Sequence, residues 1–260
     1  MKVYAIFVIY ITTKIQEQLA INTLNSFKTK FNMRYVAVVN RYYSNDKSFG
    51  KSDMGEFFDH IIYNDRNCLA RAWNKGFSYA HSKGADFVIF SNLGLIIIDD
   101  GLDRLIEQAR DHKNKKVLVF SGNRIMGGVI RRYEEGLAKV IVSTMWDNFT
   151  LFLVRRNFQR AIGRFDENFS PAYYEDIDIQ RRLELSGNEH IAVEACKYKH
   201  EQSSSIRFHE DVEWAHKHLS SINTAQYMVD KWGGFRSDIK FIHPYDDKTK
   251  GLKYWRKTAS

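Results

Sequence analysis

Proline is almost missing from this chain: two occur among 260 residues, and no stretch is rich in glycine and serine. A linker of the Pro-rich or Gly/Ser-rich kind therefore has no place to sit, and no internal repeat or low-complexity segment interrupts residues 1–260. Cysteine is as scarce. Cys68 and Cys196 lie far apart, which excludes a disulfide framework and suits two buried thiols in a reducing cytosol. No apolar run approaches the ~20 residues of a membrane-spanning helix. The longest early run, Val3–Ile11, lacks a small-residue cleavage site and is followed at once by a charged, amphipathic stretch. It reads as a buried strand of a cytoplasmic protein rather than as a signal peptide.

Several chemical signatures are missing too. There is no Gly-x4-Gly-Lys-Ser/Thr phosphate loop, no Gly-x-Gly-x-x-Gly turn, no Gly-x-Ser-x-Gly elbow and no Cys/His cluster with zinc spacing. The usual kinase, dehydrogenase, α/β-hydrolase and zinc-site fingerprints are thereby set aside.

What is present is ordinary globular composition, with 44% hydrophobic and 27% charged residues, and a formal net charge of +8. The basic groups include Arg155, Arg156, Arg160 and Arg164, then Lys113, Lys115 and Lys116, then Lys248, Lys250, Lys253, Arg256 and Lys257. Such a balance fits either a solvated surface or a polyanionic partner, whether nucleotide phosphates or DNA.

Strand-like and helix-like segments alternate through the front half. Val3–Ile11, Tyr35–Val39, Phe57–Tyr63 and Asp86–Phe90 are short apolar strands. Between them Gln16–Phe31 has near-helical apolar spacing. Leu69, Ala72, Trp73, Gly76, Phe77 and Ala80 form one clear helix face. A helix at Leu102–Ala109, a strand at Val117–Phe120, strand-like runs in Gly127–Leu153, a helix at Ile177–Leu185 and a long helix at His209–Trp232 follow. The order predicts a mostly parallel, Rossmann-like α/β sheet flanked by helices, with a C-terminal helical extension. In such sheets ligands bind beyond the carboxyl ends of the strands. That places Thr12, Asn40, Asn64–Asn67 and Ser91–Gly94 at the ligand side.

The densest chemistry lies in the stretch from Gly163 to Asp178. Glu175, Asp176 and Asp178 open a helix directly after Tyr173 and Tyr174, with Arg181 and Arg182 a turn later. The free N–H groups and positive end of a helix favour ionised carboxylates there. A positioned carboxylate can take a proton from an attacking hydroxyl. On spacing alone, an acidic helix cap with i,i+4 charge pairing, a common surface feature, is the better description.

Gly163-x-Phe-Asp-Glu-x-Phe169, then Tyr174-Glu-Asp-x-Asp178 with Arg182 and Gly187, resembles the acceptor-side signature of family 2 glycosyltransferases, which have the GT-A fold. Asn67 with Ala72-Trp-Asn-Lys-Gly76, and Gly84 to Asn92, resemble that family's donor half; His200-Glu-Gln-Ser-Ser-Ser and Lys231-Trp-Gly-Gly234 resemble its later segments. The resemblance implies one domain over 1–260. A nucleotide-sugar half would cover about 1–95, an acceptor half about 96–205 and a helical extension about 206–260. It further implies an inverting transfer with Asp176 as base and Glu175 beside it. Thr12, Asn40, Asn67, Asn74 and Asn92 would stand on the donor side, with Tyr174, Asp178 and Trp146 at the acceptor.

At the fourth strand the family normally carries an Asp-x-Asp or Asn-x-Asp metal motif, whereas this chain reads Ser91-Asn-Leu-Gly94. The expected divalent ion, Mn or Mg, would be left with Asn92 and with His200, which matches a position that ligates metal in some relatives. Asp99 and Asp100 read as an ordinary helix start. His209, Glu213 and His216 share a helical spacing that could ligate metal, and Tyr173, Phe149 and the aromatic positions above could stack on a sugar or base. Two acceptors compete, a saccharide or lipid-linked saccharide and a base hydroxyl on DNA. The basic residues Arg155–Arg164, preceding the acceptor signature, argue for DNA. A catalytically inactive GT-A binding module is the rival from another class.

Overall fold

A computed structural model of the chain describes residues 1–43, 46–125, 149–201, 204–235 and 238–246. Trp146 and the basic tail Lys248–Lys257 lie outside the described residues.

The first strand forms where the apolar run predicts it, as β1 (Val3–Ile11). Its alternate side chains Val3, Ala5, Phe7, Ile9 and Ile11 enter one hydrophobic cluster, and Ile6 enters a second on the opposite face. Burial on both faces is what a continuous β-branched run supports in a parallel sheet. Thr13 then caps α1 (Lys14–Ser26) by accepting from the Gln16 N–H. Chain order continues through β2 (Met33–Tyr42), β3 (His60–Tyr63), α2 (Leu69–Ser82), β4 (Phe87–Ser91), β5 (Leu95–Ile97), α3 (Gly101–Asp111), β6 (Val117–Arg124) and β7 (Leu151–Arg155). It then passes through α4 (Phe158–Ile162), α5 (Glu175–Leu185), β8 (Glu189–His200), α6 (Ser204–Arg207), α7 (Val212–Leu219) and α8 (Ile222–Trp232).

The described strands form one sheet in the order β3-β2-β1-β4-β7-β6-β8-β5. The β3-β2-β1-β4 part is parallel throughout. β7 enters antiparallel between β4 and β6, β8 runs parallel to β6, and β5 is antiparallel to β8. Because β7 reverses twice over, β6 points the same way as β4. The carboxyl ends of β1, β2, β4, β6 and β8 therefore open on one side.

Helix α2 backs closely onto β1. A Cβ at Gly76 would collide with the Ile6 side chain, so the smallest residue is needed there. Trp73 on the same helix is 1% exposed and packs against Phe90, Phe152 and Phe165. Truncating such a residue costs about 3–5 kcal/mol.

Several local expectations change. Gly55–Phe57 is a 3-10 turn, and the third strand starts only at His60. The single helix expected over His209–Trp232 is two, broken at Ser220–Ser221, where the Ser220 backbone is extended (ψ 161°). Serine's short hydroxyl competes for local backbone groups, which makes it a natural breaker there. His209 consequently precedes α7, so it shares no helical face with Glu213 and His216.

Beneath α5 lies a buried ionic knot. Asp178 accepts from Arg182 at 2.6 Å and from the Trp232 indole at 2.9 Å, and it pairs with Lys231 at 2.6 Å. Lys231 also reaches Asp166 at 2.6 Å, and Arg182 donates to the Ile162 carbonyl at 2.7 Å. Asp178, Arg182 and Lys231 are all fully buried. Burial alone would raise the Asp166 carboxyl, but Lys231, with the Asn168 N–H and Tyr227, brings it below the usual carboxylate range. The knot ties α8 to α5 and holds α5 over the sheet.

Candidate functional site

Beyond the carboxyl ends of the strands is a cavity of about 580 Å³, within the size of small-ligand sites. Strand ends form its floor. Tyr10 and Ile11 come from β1, Asn40 from β2, Asn92 to Gly94 from the turn after β4, Arg124 from β6 and His200 from β8. The segment from Pro171 to Ile177 overhangs it with Tyr173, Tyr174, Glu175 and Asp176.

The overhang is held in an unusual backbone. Tyr173 and Tyr174 both have positive φ, 79° and 69°, directly before the first residue of α5. A left-handed non-glycine residue costs on the order of 1–2 kcal/mol, and consecutive ones gather at sites where geometry outranks comfort. Here the double turn sets the start of α5 at the cavity. Asp176 Oδ1 accepts from the Ile177 N–H at 2.8 Å, at the helix end whose dipole favours a negative charge.

Glu175 is 4% exposed, and its Oε2 has no hydrogen-bond partner. Burial first, then the charges of Asp176 and Asp178, push its carboxyl well above the ordinary range. A proton on Glu175 turns an acceptor into a hydrogen-bond donor facing the cavity. Trp73, another residue lining the cavity, also carries a buried atom without a partner, Nε1. Each such atom left unsatisfied costs about 1–3 kcal/mol, so both are poised for a polar ligand.

The donor-side amides form a short chain. Asn64 donates to Asn40 at 2.7 Å, and Asn40 donates to Asn67 at 3.3 Å. Asn40, Asn67 and Asn92 line the cavity. Thr12 and Asn74 do not. The Thr12 hydroxyl donates to Gln16 and accepts from the Glu210 N–H. Gln16 instead borders the cavity. Asn74 is 1% exposed and bonds the Phe165 carbonyl at 2.9 Å, the Phe165 N–H at 3.0 Å and Gln159. It pins the Gly163–Glu167 loop to α2, and its amide has nothing left for a ligand. Asp178, expected at the acceptor, does not line the cavity: its oxygens are taken up in the buried knot by Arg182, Lys231 and the Trp232 indole. Phe149, Tyr173 and Tyr174 line the cavity.

Three of the four arginines expected on the acceptor side are elsewhere. Arg155 pairs with Phe87 at the beginning of β4, and the Arg156 N–H bonds the Asp86 carbonyl. Together with Arg160 they border a separate depression. Because β7 is antiparallel, its carboxyl end lies at the sheet end opposite the cavity. Arg155 also donates to the Val117 and His112 carbonyls.

The resemblance implies a divalent ion at the turn after β4, where the donors are few. Gly94 has φ +86°, a Cβ there would stand 3.2 Å from Ser204 Oγ, and its backbone is bonded to Thr23 and Glu201. Position 94 is thus a turn that a carboxylate side chain would strain. Asn92 brings only a neutral oxygen. Burial and the Arg124 guanidinium hold the His200 imidazole at about 4, which leaves it in the neutral form that can ligate but beside a fixed positive charge that repels a cation. Among the described residues no group of three His, Cys, Asp or Glu side chains is placed to hold an ion. Among the described residues, an amide at Asn92, one imidazole beside a guanidinium and no carboxylate at position 94 are a poor match to the ion that the resemblance implies. His209, offered earlier as a ligand, is occupied: it accepts from the Asp211 N–H at Nδ1 and meets the Tyr10 hydroxyl at Nε2.

No protein-family model and no curated protein matches the sequence. Solved structures do match. GalNAc-T7 with UDP, GalNAc and Mn2+ is 13% identical with a TM-score of 0.56, over 76% of this chain and 43% of that one. S. aureus TarS 1–349 with UDP is 13% identical with a TM-score of 0.53, over 92% of this chain and 74% of that one. The mannosyltransferase PcManGT from Pyrobaculum calidifontis with GDP-Man and Mn2+ is 12% identical with a TM-score of 0.54, over 79% and 59%. The chain thus spans less than half of the GalNAc-T7 structure. Such likeness establishes a GT-A glycosyltransferase fold for the chain.

Proposed function

We propose that this chain transfers a sugar, with inversion, from a nucleoside-diphosphate sugar to an acceptor hydroxyl. The observation that carries the reading is the meeting of Asp176 and Glu175 with the strand-end amides Asn40, Asn67 and Asn92 in one cavity. A GT-A fold with nucleotide-sugar-bound structural neighbours supports the donor class. The donor's nucleotide lies over the β1 and β2 ends, and its sugar points toward α5. Asp176 takes the acceptor's proton as the acceptor oxygen attacks the anomeric carbon. The bond from that carbon to the diphosphate breaks, and the electron pair leaves with the diphosphate. Glu175, protonated, donates to a sugar oxygen and orients it.

The acceptor is a saccharide hydroxyl, received between Tyr173 and Tyr174, whose rings suit a sugar face. The rival acceptor, a base hydroxyl in DNA, loses Arg155, Arg156 and Arg160 as nearby phosphate contacts, since they stand at the far end of the sheet. Among the described residues no helix is long and apolar enough to cross a membrane.

The test is turnover of a panel of UDP-, GDP-, CDP- and dTDP-sugars with mixed oligosaccharides, plain DNA and hydroxymethylated DNA as acceptors. Transfer to an oligosaccharide is expected. Transfer to hydroxymethylated DNA alone would restore the DNA reading. No release of nucleotide from any donor would favour an inactive binding module.

A further inference from the structure

We propose that Arg124 supplies the positive charge that receives the leaving diphosphate in this cavity, in the role a divalent ion otherwise fills. The inference deepens the donor reading above and rests on it.

Placement is the first argument. β6 runs in the same direction as β4, so Arg124, its last residue, reaches the cavity from the same end as Asn92. The register ties it to the neighbouring groups. Arg124 is paired with Tyr198 on β8, and His200, two residues further on, is paired with Leu95 directly after Gly94. Arg124, His200 and the Asn92–Gly94 turn are therefore contributed by adjacent strands.

Charge is the second. Among the described residues lining the cavity, Arg124 is the one side chain with a permanent positive charge, set against Glu175 and Asp176. Its field is felt locally, since it helps to keep His200 neutral. A divalent cation beside a fixed guanidinium is disfavoured by like charge, whereas a diphosphate is drawn to it. Arginine is also the side chain whose planar donors match phosphate oxygens two at a time. Preorganised positive charge at a leaving group lowers the barrier without any change in protonation. In the step itself the anomeric carbon–oxygen bond breaks and its electron pair moves onto the diphosphate oxygen. The acceptor proton goes to Asp176, and Arg124 neither gains nor loses a proton.

The glycine is the third. Where a metal-binding aspartate would stand, Gly94 has left-handed backbone and a close Ser204 hydroxyl, and Thr23 and Glu201 hold its backbone. With that backbone, a carboxylate side chain has no unstrained place at position 94.

The experiment is calorimetric titration of the full chain with UDP, GDP, CDP, ADP and dTDP, first in EDTA and then with manganese. The matching nucleoside is titrated in parallel. One diphosphate is expected to bind in EDTA. Arg124→Gln should weaken that diphosphate by roughly tenfold or more and leave the nucleoside within about twofold, while Arg124→Lys recovers part of the loss. Binding only with manganese, or an Arg124→Gln protein that binds the diphosphate normally, overturns the proposal and leaves the donor reading standing. Equal loss of diphosphate and nucleoside makes Arg124 structural and also overturns it. Absence of any diphosphate binding in either condition brings down the donor reading, and this inference with it.

Discussion

Glu175 and Asp178 stand one turn apart on the same helix, both buried, and the chain surrounds them in opposite ways. Asp178 is given Arg182, Lys231 and the Trp232 indole, and every partner is within 3.0 Å. Glu175 is left with an orphaned oxygen at the edge of a cavity. Similar acids at similar depth thus do different work. The paired one fixes where the helix lies, and the unpaired one holds free energy that a ligand can recover. The acids cannot be told apart by type or spacing; their partners arrive from residues far along the chain.

The sharpest way to break this comparison is at its functional edge. Asp176→Asn should leave the fold and nucleotide binding in place and lower turnover roughly 10²- to 10⁴-fold. Steady-state kinetics with the best donor of the panel reads it, and near-normal turnover removes Asp176 as the base. On the paired side, Lys231→Met leaves Asp166 and Asp178 facing each other without their shared cation. We expect a loss of about 3–5 kcal/mol in denaturant unfolding, with the Lys231→Met/Asp178→Asn double variant recovering part of it. If Lys231→Met unfolds like the parent, the knot is not what holds α5.

Glu175 sharpens the comparison through pH. Its folded carboxyl sits above its unfolded value, so the folded state binds the proton more tightly. That contribution to stability is complete below the unfolded pKa, about 4.5, and is lost as pH rises through the folded one. Glu175→Gln cannot titrate. Its stability advantage over the parent should therefore grow as pH rises above about 4.5. Parallel urea melts across pH 4 to 8 check the sign; a constant difference would show that Glu175 is not held protonated. His200 and His190, both near 4 through burial, act in the other direction but are common to both proteins and cancel in the difference.

The smallest effect is expected at the turn after β4. Gly94→Ala should cost about 1–2 kcal/mol from its positive φ, with Ser204 adding a close contact. Gly94→Asp should be no better and should create no tight manganese site by calorimetry. A variant that is stable and binds manganese tightly would show that the glycine is incidental.

Much of the first half was legible because its signals are local. The Val3–Ile11 run, the Leu69–Ala80 face and the strand-end rule located β1, α2 and the positions of Asn40, Asn67 and Asn92. The second half depends on distant pairings. β8 carries Glu189, Glu194, Lys197 and Lys199 on an exposed face and reads as a surface segment until β6 and β5 are set beside it. β5 is only three residues long. The apolar run of β6 stops at Phe120, whereas the strand continues through the polar residues Ser121 to Arg124, so the strand-end rule that places Asn92 does not reach Arg124 from sequence. Lys231 looks like any surface lysine, and only the convergence of Asp166 and Asp178 explains its burial. Thr12 and Asn74 sat where ligand groups belong, yet their polar atoms were already committed to Gln16, Glu210, Phe165 and Gln159.

The knot also imposes an order on the making of the protein. A ribosome joins Asp178 54 residues before Trp232, and domains assemble as their segments emerge. During that interval β1 to β8 can all pair, yet the helix bearing Asp176 still lacks the cation and indole that anchor its underside. A nascent chain stopped short of residue 231 would carry β1 to β8 and both cavity carboxylates on a helix not yet fastened. The geometry of the cavity is therefore completed late in translation, with α8 rather than with the residues that line it.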